Sequence, residues 1–337
     1  MLAKNPKVSV CIPNYNYGHF IGDAIRSVLA QTYKDFELII VDNCSADNSE
    51  EVIKSFRDPR IRFYKNEKNI GMTANWNKCL SLARGEYISI LHADDVYLPN
   101  FLEEGVKVLD TNPKVGMVYS QVKYINDKGK VIGDSRGLQP LKSYVLAGEK
   151  EFQKLVTHST NIFCPAVMVR KSIYNAIGNF DESFSLASDY DMWLRISLNY
   201  DVAFISQPLA CYRVHEDSET TLNLNMLVKE DYEVLKKTYS NLSKEKQYFR
   251  NLVLTALRRI SKKNLWIAIK YLSRGENETA RKYISSYIIE NSSSMGVYIL
   301  LLLTYLGWIG KVIIKTGMLF SRNYQAKAML IKLWQTL

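Results

Sequence analysis

Three short polar groups close apolar, strand-like runs in the first hundred residues, and their chemistries are complementary. Val8-Ser9-Val10-Cys11-Ile12 leads into Pro13, Asn14, Tyr15 and Asn16. Phe36 to Val41 stops at Asp42 and Asn43, and Tyr87 to Leu91 stops at His92-Ala93-Asp94-Asp95. An aromatic ring beside amides suits stacking and hydrogen bonding to a planar base, and a carboxylate at a strand end can accept a bond from a base imide. Adjacent carboxylates suit a hard divalent cation bridging a diphosphate. The three groups together describe a cleft for a nucleoside diphosphate. A dinucleotide site would need Gly-rich turns so that backbone can approach the pyrophosphate, yet the chain has no GxGxxG after its first strand and no GxxxxGK[ST].

Residues 7–122 alternate between two periods, which explains how these groups come to one edge. A helical stripe of Phe20, Ile21, Ala24, Ile25, Val28 and Leu29 follows the first strand. Residues 47–56 and 73–83 read as further helices, and Ile61 to Tyr64 as a strand between them. Strands separated by helices predict a mostly parallel α/β sheet with helices on both faces, whose ligands sit outside the carboxyl ends of the strands. Met117 to Ile125 and Val131 flank a turn at Asn126-Asp127-Lys128-Gly129 and predict a hairpin. Residues 133–148 read as a loop, Ala166 to Val169 and Val202 to Ile205 as strands, and Asp191–Leu198 as a helix. Beyond residue 218 only helical signals remain. The expected division is therefore 1–217 and 218–337.

The order and spacing of five segments resemble the family 2 glycosyltransferases of the GT-A fold, over roughly residues 5–215. These are Val8 through Asn16, Ile39-Ile40-Val41-Asp42-Asn43, Asn69-Ile70-Gly71, the HADD tetrad, and Gly178-Asn179-Phe180-Asp181-Glu182 followed by Asp189-Tyr190-Asp191-Met192-Trp193-Leu194-Arg195. The resemblance implies that Asp42 binds a uracil or thymine imide, that Pro13 and Tyr15 pack on base and ribose, and that Asn69 and His92 belong to the nucleotide side. It further implies that Asp94 is the second acid of a DXD motif ligating Mg²⁺ or Mn²⁺. His92 stands where the first acid is usual, and imidazole can still ligate Mn²⁺. Asp189 matches the family's catalytic base, with Ser188 where a Glu is usual. His215, in Tyr212-Arg213-Val214-His215, matches a late motif that reaches the diphosphate or its metal. Asp95, Asp191 and Trp193 are further candidates on the acceptor side.

Each assignment has a plainer rival. Asp94 and Asp95 also suit a turn after a strand, and Asp42 a helix N-cap. Asp191 competes with Asp189 at a helix start, where acids are common. Trp193 also reads as core packing, Arg195 as an ion-pair partner and His215 as a locally satisfied histidine. Asp181 and Glu182 are explained equally well by turn chemistry.

Composition separates the two regions. Of 337 residues 47% are hydrophobic, which excludes a disordered or fibrous chain. The formal net charge of +10 lies almost wholly in residues 216–337, where 19 Lys and Arg face 10 Asp and Glu. Five cysteines without a CxxC pair predict reduced thiols, and no apolar leader follows MLAKNPKVSV, so a cytoplasmic location is expected. Met295 to Gly310 carries no charge. As a helix it would reach only about 24 Å against a hydrocarbon core of about 30 Å. Thr304, Lys311, Lys315 and Arg322 are spaced by seven, four and seven residues, a thin cationic stripe on an otherwise apolar segment. Residues 295–322 thus read as an amphipathic helix lying on an anionic membrane surface, the inner face of the cell membrane being the expected place. A helix packed on the catalytic domain or on a second copy is the alternative, and a short spanning or re-entrant helix a third reading. Nucleic acid is not an expected partner, because no binding motif accompanies the charge.

The resemblance implies inverting transfer of one sugar from a nucleotide diphosphate sugar, with UDP ahead of dTDP, to a hydroxyl of a polysaccharide or lipid-linked glycan. The Gln-x-x-Arg-Trp motif of processive synthases is missing, so one sugar per encounter is expected. A catalytically silent nucleotide-sugar-binding or membrane-anchored assembly protein is the alternative. The two differ in whether a nucleotide sugar is turned over.

Overall fold

A computed structural model describes residues 5–137, 139–158, 161–288 and 305 of the chain. The chain runs β1 (Val8–Asn14), α1 (Gly18–Leu29), β2 (Phe36–Asp42), α2 (Ser49–Ser55), β3 (Ile61–Lys65), α3 (Met72–Leu82) and β4 (Tyr87–Ile90). There follow β5 (Val96–Tyr97), α4 (Phe101–Thr111), β6 (Val115–Ile125), β7 (Val131–Asp134), β8 (Tyr144–Leu146) and α5 (Gly148–His158). The rest comprises β9 (Val167–Arg170), α6 (Lys171–Ile177), α7 (Ser188–Ser197), β10 (Asp201–Arg213), α8 (Glu219–Leu222), α9 (Leu224–Asn241), α10 (Gln247–Arg274) and α11 (Asn277–Ile288).

The strands form one mixed sheet in the order β3-β2-β1-β4-β9-β6-β10-β5, with β7 added to β6 and β8 to β10. β3, β2, β1 and β4 are parallel, as their helical crossovers require. β9 is antiparallel between β4 and β6, and β6 is parallel to β10. Every residue of β2 is buried, as expected of a strand covered on both faces. α1 buries Ile21, Ala24, Ile25 and Val28, one continuous stripe, in the core with Val8, Val10 and Ile12 of β1 and Leu38 and Ile40 of β2. From β1 the chain builds outward through β2 to β3, then returns to place β4 on the other side of β1. That reversal opens a crevice at the carboxyl ends of β1 and β4.

The expected hairpin is β6–β7, closed by Asn126, whose side chain accepts from the amides of Lys128 and Lys130. Two elements are longer or more numerous than the sequence pattern indicates. Val202 to Ile205 is only the start of the 13-residue β10, because register shifts around Pro208 interrupt its alternation. The loop of 133–148 contains β8, a three-residue edge strand on β10, too short to show a period.

The chain divides into two compact units, Met1–Leu242 and Ser243–Leu337, so α8 and α9 stand with the first and not beyond a boundary at 217. The reason is ionic as well as apolar. Lys237 of α9 bonds Asp181 at 2.7 Å and Asp191 at 2.8 Å, and Glu230 bonds the backbone ahead of α7. In the second unit α10 ends at Gly275, which adopts φ +85°, and its Leu272 packs on Ala280 of α11. Among the described residues no helix is long and apolar enough to cross a membrane. Most of residues 295–322, the expected amphipathic segment, lies outside the described residues.

Candidate active site

A cavity of about 680 Å³ opens at the carboxyl ends of β1, β2 and β4, as the strand reversal predicts. Of the expected site residues, Pro13, Tyr15, Asn69, His92, Asp94 and Asp189 line it. Asp42, Asp95, Asp191, Trp193 and His215 do not.

At the β1–β2 end, Tyr15 lines the cavity and stands 44% exposed. The parallel register sets Asn14 beside Asp42. Asp42 is fully buried behind the cavity wall, where its carboxylate accepts from Asn14 Nδ2 at 2.7 Å, Ser45 Oγ at 2.5 Å and Ser45 N at 3.0 Å. The group that reaches the cavity is Asn14, which Asp42 orients. Neighbouring Asn43 also lines it, held by Asn66, Asn69 and the amide of Ile70.

The turn after β4 carries the acids. β5 pairs with β10 two residues ahead of Arg213 and so fixes this turn to the far side of the sheet. Arg213, buried, donates its backbone amide to Asp95 Oδ1 at 2.7 Å and its Nε to the Asp94 carbonyl at 2.6 Å. The same guanidinium reaches the carbonyls of Asn126 and Asp127 and lies over the Phe20 ring. Asp94 Oδ2 is 3.0 Å from His215 Nε2, so His215 meets the cavity through Asp94. Trp76 stacks on the His92 ring with centroids 5.1 Å apart. Burial, reinforced by the charge of Asp94, pushes the Asp95 carboxyl up to about 6.

One ligating atom each from His92, Asp94 and Asp95 lie within 4.8 Å of one another. His92 Nε2 is buried without a hydrogen-bond partner, and Asp95 Oδ2 has none closer than His92 Nδ1 at 3.5 Å. Two carboxylates and an imidazole, one of whose nitrogens is buried without a partner, fit a divalent cation of the Mn²⁺ type.

Asp189 sits in the first turn of α7, which has no side-chain N-cap, and accepts the amide of Tyr190 at 2.6 Å. Burial outweighs that bond and pushes its carboxyl up to about 6. Asp191, two residues on, is buried in a double ion pair with Arg195 and Lys237, both at 2.8 Å. Trp193 is buried edge-on against Phe180 in the core. The rival roles of Asp189 and Asp191 therefore separate by environment: one carboxylate faces the cavity and the other ties α7 to α9.

Residues to which sequence reasoning gave no role of their own include Trp76, Arg213 and Asp231. Arg213 stood inside a motif already singled out, but its bonds span 118 residues of chain. Asp231 lines the cavity from α9, outside the segments that carried the resemblance. The cavity wall holds Asp94, Asp189, Asp217, Glu219 and Asp231, and no Lys or Arg among the described residues.

The model of glycosyl transferase family 2 matches residues 9–178. An uncharacterized glycosyltransferase of Methanocaldococcus jannaschii is 36% identical over 216 residues, 62% of this chain and 71% of that protein. The Escherichia coli protein WfgD, named as a UDP-Glc:alpha-D-GlcNAc-diphosphoundecaprenol beta-1,3-glucosyltransferase, is 27% identical over 254 residues, 75% of this chain and 94% of its own. In fold, S. aureus TarS 1-349 in complex with UDP-GlcNAc superposes with a TM-score of 0.64 at 17% identity, covering 94% of this chain and 91% of that one. The mannosyltransferase PcManGT of Pyrobaculum calidifontis, in complex with GDP-Man and Mn²⁺, gives 0.56 at 16% identity, covering 99% and 86%. A mixed sheet with a ligand-sized crevice at its strand reversal, a turn of acids within it, and these likenesses lead to one conclusion: the chain belongs to glycosyl transferase family 2, as a transferase of the GT-A fold.

Proposed function

We propose that the chain transfers one sugar, with inversion, from a nucleotide diphosphate sugar to a hydroxyl of a polysaccharide or lipid-linked glycan. UDP is the expected carrier and dTDP the alternative. The observation that carries this reading is that one cavity is lined by His92, Asp94 and Asp189, with no Lys or Arg among its described walls. A diphosphate entering such a wall needs a cation to offset the acids around it. His92, Asp94 and Asp95 would hold that ion, with His215 orienting Asp94, and when bound it stabilises negative charge on the departing diphosphate.

Tyr15 and Pro13 receive the nucleoside, with Asn14 presented to the base by Asp42. Asp189 takes the proton of the attacking hydroxyl, which is a poor nucleophile until a base removes it. A carboxyl raised by burial is a stronger base than an exposed one and remains largely ionised at neutral pH. Attack at the anomeric carbon forms the new C–O bond as the bond to the diphosphate oxygen breaks, and one displacement inverts that carbon.

WfgD, by its name, acts on a diphosphoundecaprenol-linked sugar, which supports a lipid-linked acceptor here. Attachment to an anionic membrane surface through residues 295–322 would bring the protein to the surface that carries such an acceptor. Truncation at residue 290 should then release the protein from anionic vesicles into the supernatant, and unchanged sedimentation rejects the attachment. For the reaction itself, the full chain with Mn²⁺ and a panel of UDP-, dTDP- and GDP-sugars should slowly release nucleoside diphosphate into water, and EDTA should stop it. No release from any of these donors would sink the proposal.

A further inference from the structure

The wall of the cavity around Asp189 is not built by the sheet alone. Glu230 of α9 accepts the backbone amides of Ser185 at 3.1 Å, Leu186 at 2.7 Å and Ala187 at 2.9 Å. These amides lie in the segment just ahead of α7 and run directly into Asp189, so the Glu230 carboxylate ties that segment, and with it the base, to α9. The next residue of α9, Asp231, lines the same cavity as Asp189. Its Oδ1 is buried without a hydrogen-bond partner. A buried oxygen left unpaired is costly, and a ligand hydroxyl would satisfy it. Burial, then the charges of Asp189 and Glu230, push the Asp231 carboxyl up to about 7.

We infer that Asp231 is a second acceptor-side carboxylate, which takes a hydrogen bond from the neighbouring hydroxyl of a sugar acceptor while Asp189 takes the proton of the attacking one. With water as acceptor the two carboxylates divide its two O–H groups. The inference rests on the glycosyltransferase reading of the cavity. It selects an acceptor class: a sugar bearing a hydroxyl adjacent to the nucleophile, not an isolated alcohol. Asp231 forms no covalent bond and keeps its protonation state. The proton lost by the nucleophile goes to Asp189, and the electron pair of the broken bond leaves on the diphosphate.

Hydrolysis tests this without knowledge of the natural acceptor. The full chain is assayed with Mn²⁺ and the donor of the UDP-, dTDP- and GDP-sugar panel that it hydrolyses fastest. Asp231→Asn and Asp231→Ala should lower kcat for release of nucleoside diphosphate about tenfold, leaving the donor KM within about twofold and Tm unreduced. Asp231→Glu should recover part of the loss. A kcat within about twofold of the parent in both variants overturns the inference, and so does a fall in kcat accompanied by a lower Tm and a raised donor KM, which marks a structural role. If the parent releases nothing from any donor, the glycosyltransferase reading fails first; if an active parent is matched by its Asp231 variants, only the acceptor-side role fails.

Discussion

Asp189→Asn lowers kcat for sugar transfer by about 10²–10⁴-fold while the donor binds as before. Asn preserves the size and one oxygen of the side chain but cannot take the proton of the acceptor hydroxyl. The donor contacts proposed for Tyr15, Asn14 and the acid turn lie on other elements and survive the change. The pH profile carries the same signature. Asp189 works as a base only when ionised, and its carboxyl is held at about 6, so kcat should rise from acid pH and level off above that value. The limb reports the cavity as a whole, since Asp231 interacts with Asp189 and the two titrate together. In Asp189→Asn the residual rate should lose that limb. Stability moves the other way. A carboxyl whose folded pKa is raised destabilises the fold once pH exceeds its unfolded value near 4 and does so fully above about 6. The neutral amide should therefore leave Tm at pH 7 unchanged or higher, which distinguishes a lost base from a damaged fold. Loss of activity together with a lower Tm would contradict the assignment.

Asp94→Asn is the second large effect, about 10²-fold or more in kcat/KM, with the loss residing in donor binding at limiting Mn²⁺. Asp94 is 14% exposed at the cavity wall and held by His215, whose side chain is 6% exposed. The substitution removes a full negative charge from the one cluster of described residues suited to a cation. His215→Gln should cost less, about 10- to 100-fold in metal affinity, because it frees Asp94 to rotate without removing a ligand. Equal Mn²⁺ requirements in the parent and Asp94→Asn would remove Asp94 from the metal site.

Much of the frame was legible because its signals are local. β1, β2 and β4 are mostly apolar runs stopped by polar residues, and the first crossover helix carries a clear stripe from Phe20 to Val28. Asp94 and His92 were visible for the same reason, at the first positions beyond a strand. What the sequence hid depends on pairing across distance. A carboxylate at a strand end looks available, yet Ser45 and Asn14 occupy Asp42, and only the folded register reveals that. Asp189 and Asp191 are indistinguishable by type and helix position, and Lys237 separates them from 46 residues away. Helix α9 could be read as a helix, but its clamp on residues 185–187 is tertiary, which is why the unit extends to Leu242.

The most direct measurement is a calorimetric titration of UDP into the full chain with Mn²⁺ and again in EDTA, repeated on Asp94→Asn. Binding that is at least about tenfold tighter with Mn²⁺ in the parent, and indifferent to it in the variant, is the predicted result. Equal affinity in Mn²⁺ and EDTA, or an undiminished response in Asp94→Asn, would contradict it.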